Sequence, residues 1–469
     1  MHLIAIGGSD AGISAALRAR ELDSNCDVTV VVADAYPNFS ICGIPYYVSG
    51  EVTHWKNLAH RTLADLEATG MSLRLDTMAS RIDVDDHKLL VKAADRTEEM
   101  LAYDALVVGT GAVSVRPPID GLTVPEALGP RDGVHLLHSM GDTFAVMDTL
   151  EQNSPASALI VGAGYIGLEM AEAFVARGLS VIQVEQLPEV LPTVDPELGR
   201  LVHAQLVEHG VDVLCRTAVT QISQAPAHSA GRLQVDGVGP EGELTRFADI
   251  VLVVVGVRPD TSLAVEAGAA IGAKGALAVD RHMRTNLADV FAAGDCVETY
   301  HRLLGETYLP LGTTAHKQGR VAGENAIGGD REFAGSLGTQ VVKIFDTVAA
   351  RTGLRDHEAV AAGFDPVTIP HEADDHKAYY PGSHRISMRY TGDRRSGRLL
   401  GVQLFGHRHA EVAKRIDIAA VSLFHEMTID AVSDLDLSYT PPLGSPWDAV
   451  QAGAQMWVRG ATSAGIGAM

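Results

Sequence analysis

The run Leu159-Ile160-Val161-Gly162-Ala163-Gly164-Tyr165-Ile166-Gly167 constrains the fold more than any other stretch. Three apolar residues predict a buried strand, the glycines a tight turn, and the run through Glu172 and Ala176 a helix. In this order they form a dinucleotide fingerprint. The first glycine makes the turn, the second lets a pyrophosphate approach, and the third lets helix pack on strand. A second strand, Val181 to Val184, ends at Glu185, 18 residues past Gly167. An acid there accepts from a ribose hydroxyl and repels a 2′-phosphate, and neither Gln186 nor Leu187 is basic. NADH is therefore favoured over NADPH.

A looser copy opens the chain. His2 to Ile6 predicts a strand, followed by Gly7-Gly8-Ser9-Asp10-Ala11-Gly12 and a helix-like run from Ile13 to Leu22. Ser9 stands where the middle glycine belongs. The next strand, Val28 to Ala33, ends at Asp34, an acid 22 residues after Gly12 and placed for a ribose hydroxyl. An alternative alignment puts that position two residues earlier, at Val32. Two dinucleotide folds imply two dinucleotides, one FAD and the other NAD(P)H. Three further apolar strands end in small or acidic residues, where backbone passes close to a cofactor. They lead into Thr110 and Gly111, into Gly256, and into Gly294-Asp295.

At 469 residues, two or three domains are expected, with 46% apolar residues to fill their cores. A net charge of −22 repels nucleic acid and anionic membrane, so neither is expected as a partner. Apolar runs are broken by glycines, and the chain enters a strand at once, so a cytoplasmic protein is expected. Cys26, Cys42, Cys215 and Cys296 lie far apart without CxxC or CxxH spacing. That argues against a disulfide framework and against a metal site. His371, His376 and His384 read as a solvated loop.

Cys42 differs from the other three cysteines. It sits in Asn38-Phe39-Ser40-Ile41-Cys42-Gly43-Ile44-Pro45-Tyr46-Tyr47, and Pro45 predicts a helix starting near Ile44. A helix start favours a thiolate over a thiol. Cys26, Cys215 and Cys296 read as packing residues.

From Gly7 to about Trp447 the chain resembles the single-cysteine branch of the flavoprotein disulfide reductases. That branch includes coenzyme A disulfide reductases, NADH oxidases, NADH peroxidases and CoA persulfide reductases. The motifs that carry the resemblance are Phe39-Ser40-Ile41-Cys42-Gly43, both fingerprints, Gly109-Thr110-Gly111, Ala293-Gly294-Asp295-Cys296, Pro310 to Ala315 and Ser438 to Ser445. It implies an α/β fold with two Rossmann-like domains and a C-terminal α+β dimerisation domain. FAD would be held by 1–119 and 257–330, NAD(P)H by 120–256, and 331–469 would form a homodimer interface.

The resemblance also implies roles. Hydride from NADH would pass through FAD to Cys42 and on to a small disulfide or persulfide such as CoA disulfide. In the alternative, oxygen is reduced and Cys42 cycles as a sulfenic acid. Gly7, Gly8, Ser9, Gly12, Asp34, Thr110, Gly111 and Asp295 would bind FAD. Gly162, Gly164, Gly167, Glu185 and Gly256 would bind the nicotinamide nucleotide, with Tyr165 over the flavin and Glu169 on the carboxamide. Tyr439, with Tyr379 or Tyr380, would reach the partner's cysteine; Asn38, His316 and Arg320 would contact substrate, including coenzyme A. Asp10 stands where peroxidases and many oxidases carry a histidine, and Tyr47 where a second cysteine would give the glutathione reductase mechanism.

Overall fold

The computed structural model describes residues 1–123 and 127–463; the last residues of the expected interface domain, 464–469, lie outside them, as do 124–126. The chain divides into two compact units. One comprises 1–115, 136–147 and 256–336; the other comprises 116–135, 148–255 and 337–469.

The first unit is built on a five-stranded parallel sheet, ordered Val290–Ala292, Ala105–Val108, His2–Ile6, Asp27–Val31, Ser72–Arg74. Its central strands are uninterrupted apolar runs because both faces are covered. Leu3, Ala5, Val28, Val30 and Val107 pack on one face, Ile4, Ile6, Val31, Leu106 and Val108 on the other. Each fully buried Val, Leu or Ile contributes about 1.5–3 kcal/mol. The helix Asp10–Leu22 begins three residues before the expected Ile13, because the turn closes on Gly7 and Gly8. It packs against the helix Gly312–Ala326 backbone to backbone. A Cβ on Gly319 or Gly323 would lie 2.3 Å from the Ala11 carbonyl or 2.1 Å from that of Ala15. That close crossing sets His316 beside the first helix.

The second unit holds a matching parallel sheet, ordered Asp212–Leu214, Ser180–Val184, Ser157–Val161, Ile250–Val253, Val134–His135. It also holds a five-stranded antiparallel sheet, Gln340–Ile344, Thr347–Gly353, Leu399–His407, Arg385–Asp393, Pro366–Asp374. The helices Val412–Phe424 and Ala449–Ser463 lie on it, the latter close enough that a Cβ on Gly453 would meet the Tyr390 ring at 2.3 Å. The helix Val412–Phe424 is followed by Glu426 in the left-handed region. Asp195 ties the two parts of this unit together, accepting from Arg389 Nε (2.6 Å) and Gln403 Nε2 (2.9 Å). The three histidines do not form a solvated loop. His371 lies within a strand, His376 pairs with Asp375 at 2.9 Å, and His384 stacks on His407.

Candidate active site

The two glycine turns share one geometry. Gly7 and Gly162 take φ of +111° and +105°, in the region glycine favours, and their amides donate to Val31 and Val184. A Cβ on Gly12 would sit 2.1 Å from the Gly7 carbonyl, and one on Gly167 equally close to that of Gly162. Neither helix start is capped by its own side chain, at Ser9 or at Gly164, so first-turn N–H groups face outward. Such a start receives a pyrophosphate.

The copies differ where the second strand ends. In register, Ile6 pairs Val31 and Val161 pairs Val184, so Glu185 corresponds to Val32 and not to Asp34. Val32 is buried against Gly8, whereas the Asp34 carboxylate is exposed and accepts from the Tyr36 amide at 2.9 Å. Glu185 accepts from the amides of Ala163 (2.8 Å) and Leu187 (2.9 Å), which fixes its carboxylate against the glycine turn.

Cys42 is exposed in a 3₁₀ turn, Ile41–Gly43, which leads into the helix Ile44–Ser49 with Pro45 in its first turn, as expected. Its loop is tied to the FAD-type turn through Asn38. That residue is buried with φ +58°; its amide donates to the Gly8 carbonyl at 2.6 Å, and Arg61 reaches its side-chain oxygen at 3.4 Å. Among the described residues no cysteine is disulfide-bonded. An aromatic group that the sequence reading missed packs beneath the loop. Trp55 stacks on Phe39 (5.6 Å) and meets Tyr36 and Phe144 edge-on. Its members lie far apart in sequence, and only the clustering of rings around the cysteine motif hinted at it.

Two acids flank the first turn. Asp295 is mostly buried, and burial, then the charge of Asp10, push its carboxyl up to about 6. Burial raises Asp10 as well, against the pull of His60 and His316. Tyr308 donates to the Asp295 backbone carbonyl (2.9 Å), and no side chain among the described residues hydrogen-bonds its carboxylate. His316 Nδ1 lies 2.8 Å from Ser14 Oγ; burial, then Arg320, hold its imidazole below the usual range. Arg320 lies 3.4 Å from Glu21. Arg18 is bound by Glu21 and Glu324, and Arg20 by three backbone carbonyls, so both serve the fold. Thr110 donates to the Asp260 carbonyl, Gly111 takes φ +73° and Gly256 +107°, and both glycines have open space where a Cβ would go.

In the second unit, Tyr165 opens its helix with its phenol accepting from Thr193 Oγ1 (3.2 Å), and burial raises its pKa. Glu169 lies one turn along, within electrostatic reach of that phenol. Tyr379, Tyr380 and Tyr439 are all exposed. Desolvation, then Tyr379, raise the Tyr439 phenol, so the two rings lie within electrostatic reach of each other. Lys377 fastens their segments, its amide meeting the Pro441 carbonyl and its ammonium lying over the Trp447 ring. Cys26 and Cys296 are buried; Cys215 is half-buried.

The residues present fit two dinucleotides. Uncapped helix starts, glycine turns that leave no room for a Cβ, and an acid in search of a hydroxyl at Asp295 suit FAD; Glu185 at the other turn suits a nicotinamide nucleotide. Residues 1–319 match the pyridine nucleotide-disulphide oxidoreductase family model, and 339–449 match its dimerisation domain. The NAD(P)H sulfur oxidoreductase (CoA-dependent) of Pyrococcus furiosus is 34% identical over 95% of this chain and 96% of its own. An NADH oxidase of Methanocaldococcus jannaschii is 31% identical over 97% and 98%. A NAD-dependent persulfide reductase from A. fulgidus superposes with a TM-score of 0.90 at 35% identity, covering 99% of this chain and 84% of that one. Among the described residues no helix is long and apolar enough to cross a membrane. The chain belongs to the pyridine nucleotide-disulphide oxidoreductases, an oxidoreductase family that works with FAD and NAD(P)H.

Proposed function

We propose that this enzyme is an NADH-dependent reductase of a low-molecular-weight disulfide or persulfide, of the CoA disulfide or CoA persulfide type, with Cys42 as its only reacting sulfur. The observation that carries this is an exposed, undisulfided Cys42 whose loop is pinned by Asn38 to the Gly8 turn. The assigned domains are 1–119 with 257–330 for FAD, 120–256 for NADH, and 331–469 for the dimer.

In this reading the Cys42 thiolate attacks one sulfur of R–S–S–R. A Cys42–S–S–R bond forms, the original S–S bond breaks, and RS⁻ leaves and takes a proton. FAD, held at the Gly7–Gly12 turn with Asp295, would supply two electrons drawn from NADH, and with them the mixed disulfide opens to return the Cys42 thiolate and a second RS⁻. The net change is R–S–S–R + NADH + H⁺ to two RSH and NAD⁺. Asp10, His60 and His316 form a niche able to hold the protons that this balance needs. Arg320 and Arg61 offer cations to a phosphate-bearing substrate, with His316 beside them as a hydrogen-bonding group. Tyr379 and Tyr439, both exposed and within electrostatic reach of each other, reach from the neighbouring subunit of a homodimer to stabilise the leaving thiolate.

Under argon, NADH consumption with CoA disulfide or CoA persulfide is the test. We expect Cys42→Ser to lose at least about 100-fold of that turnover while NADH still bleaches the flavin in a single turnover. No anaerobic NADH consumption with either substrate overturns the reading. Consumption only with oxygen, releasing peroxide once Cys42 is replaced, installs the oxidase reading that the archaeal NADH oxidase relative supports.

A further inference from the structure

Three side chains of three kinds converge in the second unit, away from Cys42 in sequence and with no part in the chemistry above. His203 Nδ1 lies 2.8 Å from Glu189 Oε1, and Cys215 Sγ lies 3.8 Å from that oxygen and 3.9 Å from Nδ1. Glu189 comes from the loop after Glu185, His203 from the helix Pro196–Glu208, and Cys215 from the turn after the strand Asp212–Leu214. The sequence separations are 14 and 12 residues, which is why no local ligand spacing announced the group.

We propose that Glu189, His203 and Cys215 form a binding site for one thiophilic divalent cation of the Zn²⁺ class. Metal–nitrogen or metal–oxygen bonds of about 2.0 Å and a metal–sulfur bond of about 2.3 Å give a tetrahedral site an N–O edge of roughly 3.3 Å and sulfur edges of roughly 3.5 Å. The two sulfur edges need to close by about 0.3–0.4 Å, and the His203–Glu189 contact needs to open by about half an ångström. Thiolate with imidazole selects zinc-like cations over calcium or magnesium, which take oxygen ligands. All three residues are half-buried, so the fourth position is open to water.

The arrangement is held from several sides. Gly199 lies one turn before His203 on the same helix face, and a Cβ there would meet Glu189 Cγ at 2.7 Å and the Val190 carbonyl at 2.8 Å. Glycine in a helix interior is less stable than alanine, and here it makes room for the carboxylate. The turn carrying Cys215 is fixed by the Arg216 amide on the Leu187 carbonyl and by Thr217 and Leu214 on the backbone of Glu185. A bound divalent ion replaces the thiol proton of Cys215 and releases it to solvent.

The test is calorimetric titration of the holoenzyme with Zn²⁺, in a Cys42→Ser background so that the exposed thiol does not compete. We expect one zinc per chain and release of about one proton, read from two buffers of different ionisation enthalpy. Cys215→Ser and His203→Gln should each weaken that event at least about 100-fold at unchanged FAD content, and Gly199→Ala should weaken it by crowding Glu189. No stoichiometric uptake, or uptake equally tight in Cys215→Ser and His203→Gln, overturns the site.

Discussion

The two dinucleotide turns are the same device with different ends. Both place the first glycine at φ above +100°, both bond its amide to the second strand, and both leave 2.1 Å where the third glycine would need a Cβ. They part at the residue that closes the second strand, Val32 in one and Glu185 in the other, and at the middle position, Ser9 against Gly164. The shared part is backbone geometry, which only glycine satisfies. The divergent part is side-chain chemistry, which decides the nucleotide. The acids beside the first turn are instead Asp10 and Asp295, the charge of Asp10 adding to the burial that raises Asp295.

The shared geometry can be broken most severely at the third glycine. Ala at position 12 or 167 drives a methyl into a backbone carbonyl that cannot move without opening the turn, at about 3 kcal/mol or more. Gly12→Ala should purify with little bound FAD. Gly167→Ala should keep FAD, and its KM for NADH should rise at least about tenfold, a factor of ten being about 1.4 kcal/mol. Gly164→Ala meets open space and should leave stability unchanged. Flavin absorbance per protein and KM for NADH separate the three variants. Full FAD content in Gly12→Ala would mean the two turns are not held to one geometry.

The divergent ends are probed by charge. Glu185→Ser with Gln186→Arg removes the repulsion of a 2′-phosphate and supplies a partner for it. The ratio of kcat/KM for NADH over NADPH should fall by about 10–100-fold, or about 1.4–3 kcal/mol. Asp34→Ala should change FAD content little, since the strand register gives the acid's position to Val32. If Asp34→Ala instead strips FAD, the first turn does use an acid two residues beyond its strand, and the two ends are closer in function than in register.

Much of this was legible in sequence because the signals were local. The sequence marks both ends of His2–Ile6, the helix start at Ile44 follows from Pro45, and the second fingerprint needs only nine consecutive residues. The ambiguity between Val32 and Asp34 could not be resolved from one strand; it took the pairing of two strands in each sheet to set the register. What stayed hidden is non-local. Trp55 beneath the Cys42 loop, Tyr308 on Asp295, and His203 between Glu189 and Cys215 are each brought together by packing across many residues. Cys215 read as a packing residue because its neighbours in sequence carry no ligand pattern. The first helix also starts earlier than its apolar run, at Asp10, because the glycine turn outweighs apolar periodicity there.

The smallest contrast concerns stability, and it should have opposite signs at the two ends. Asp295 is raised from its ordinary carboxyl value to about 6, chiefly by burial. Between about pH 4 and 6 the folded, FAD-stripped protein then holds a proton that the unfolded chain has released, so stability falls as pH rises through that window. At face value the shift is worth about 3 kcal/mol, and about 1–2 kcal/mol is expected once solvent relaxation around the carboxylate is allowed for. Asp295→Asn removes the cost, so its denaturation midpoint should exceed the parent's at pH 7 and match it at pH 4. Glu185 is held differently, its two oxygens each accepting a backbone N–H. Glu185→Gln leaves one of those amides facing an NH₂ group and should lose about 1–2 kcal/mol at pH 7. Urea midpoints of the two variants at pH 7 decide it. A shift upward for Asp295→Asn beside a shift downward for Glu185→Gln keeps the ends distinct, and two downward shifts would make both acids simple structural anchors.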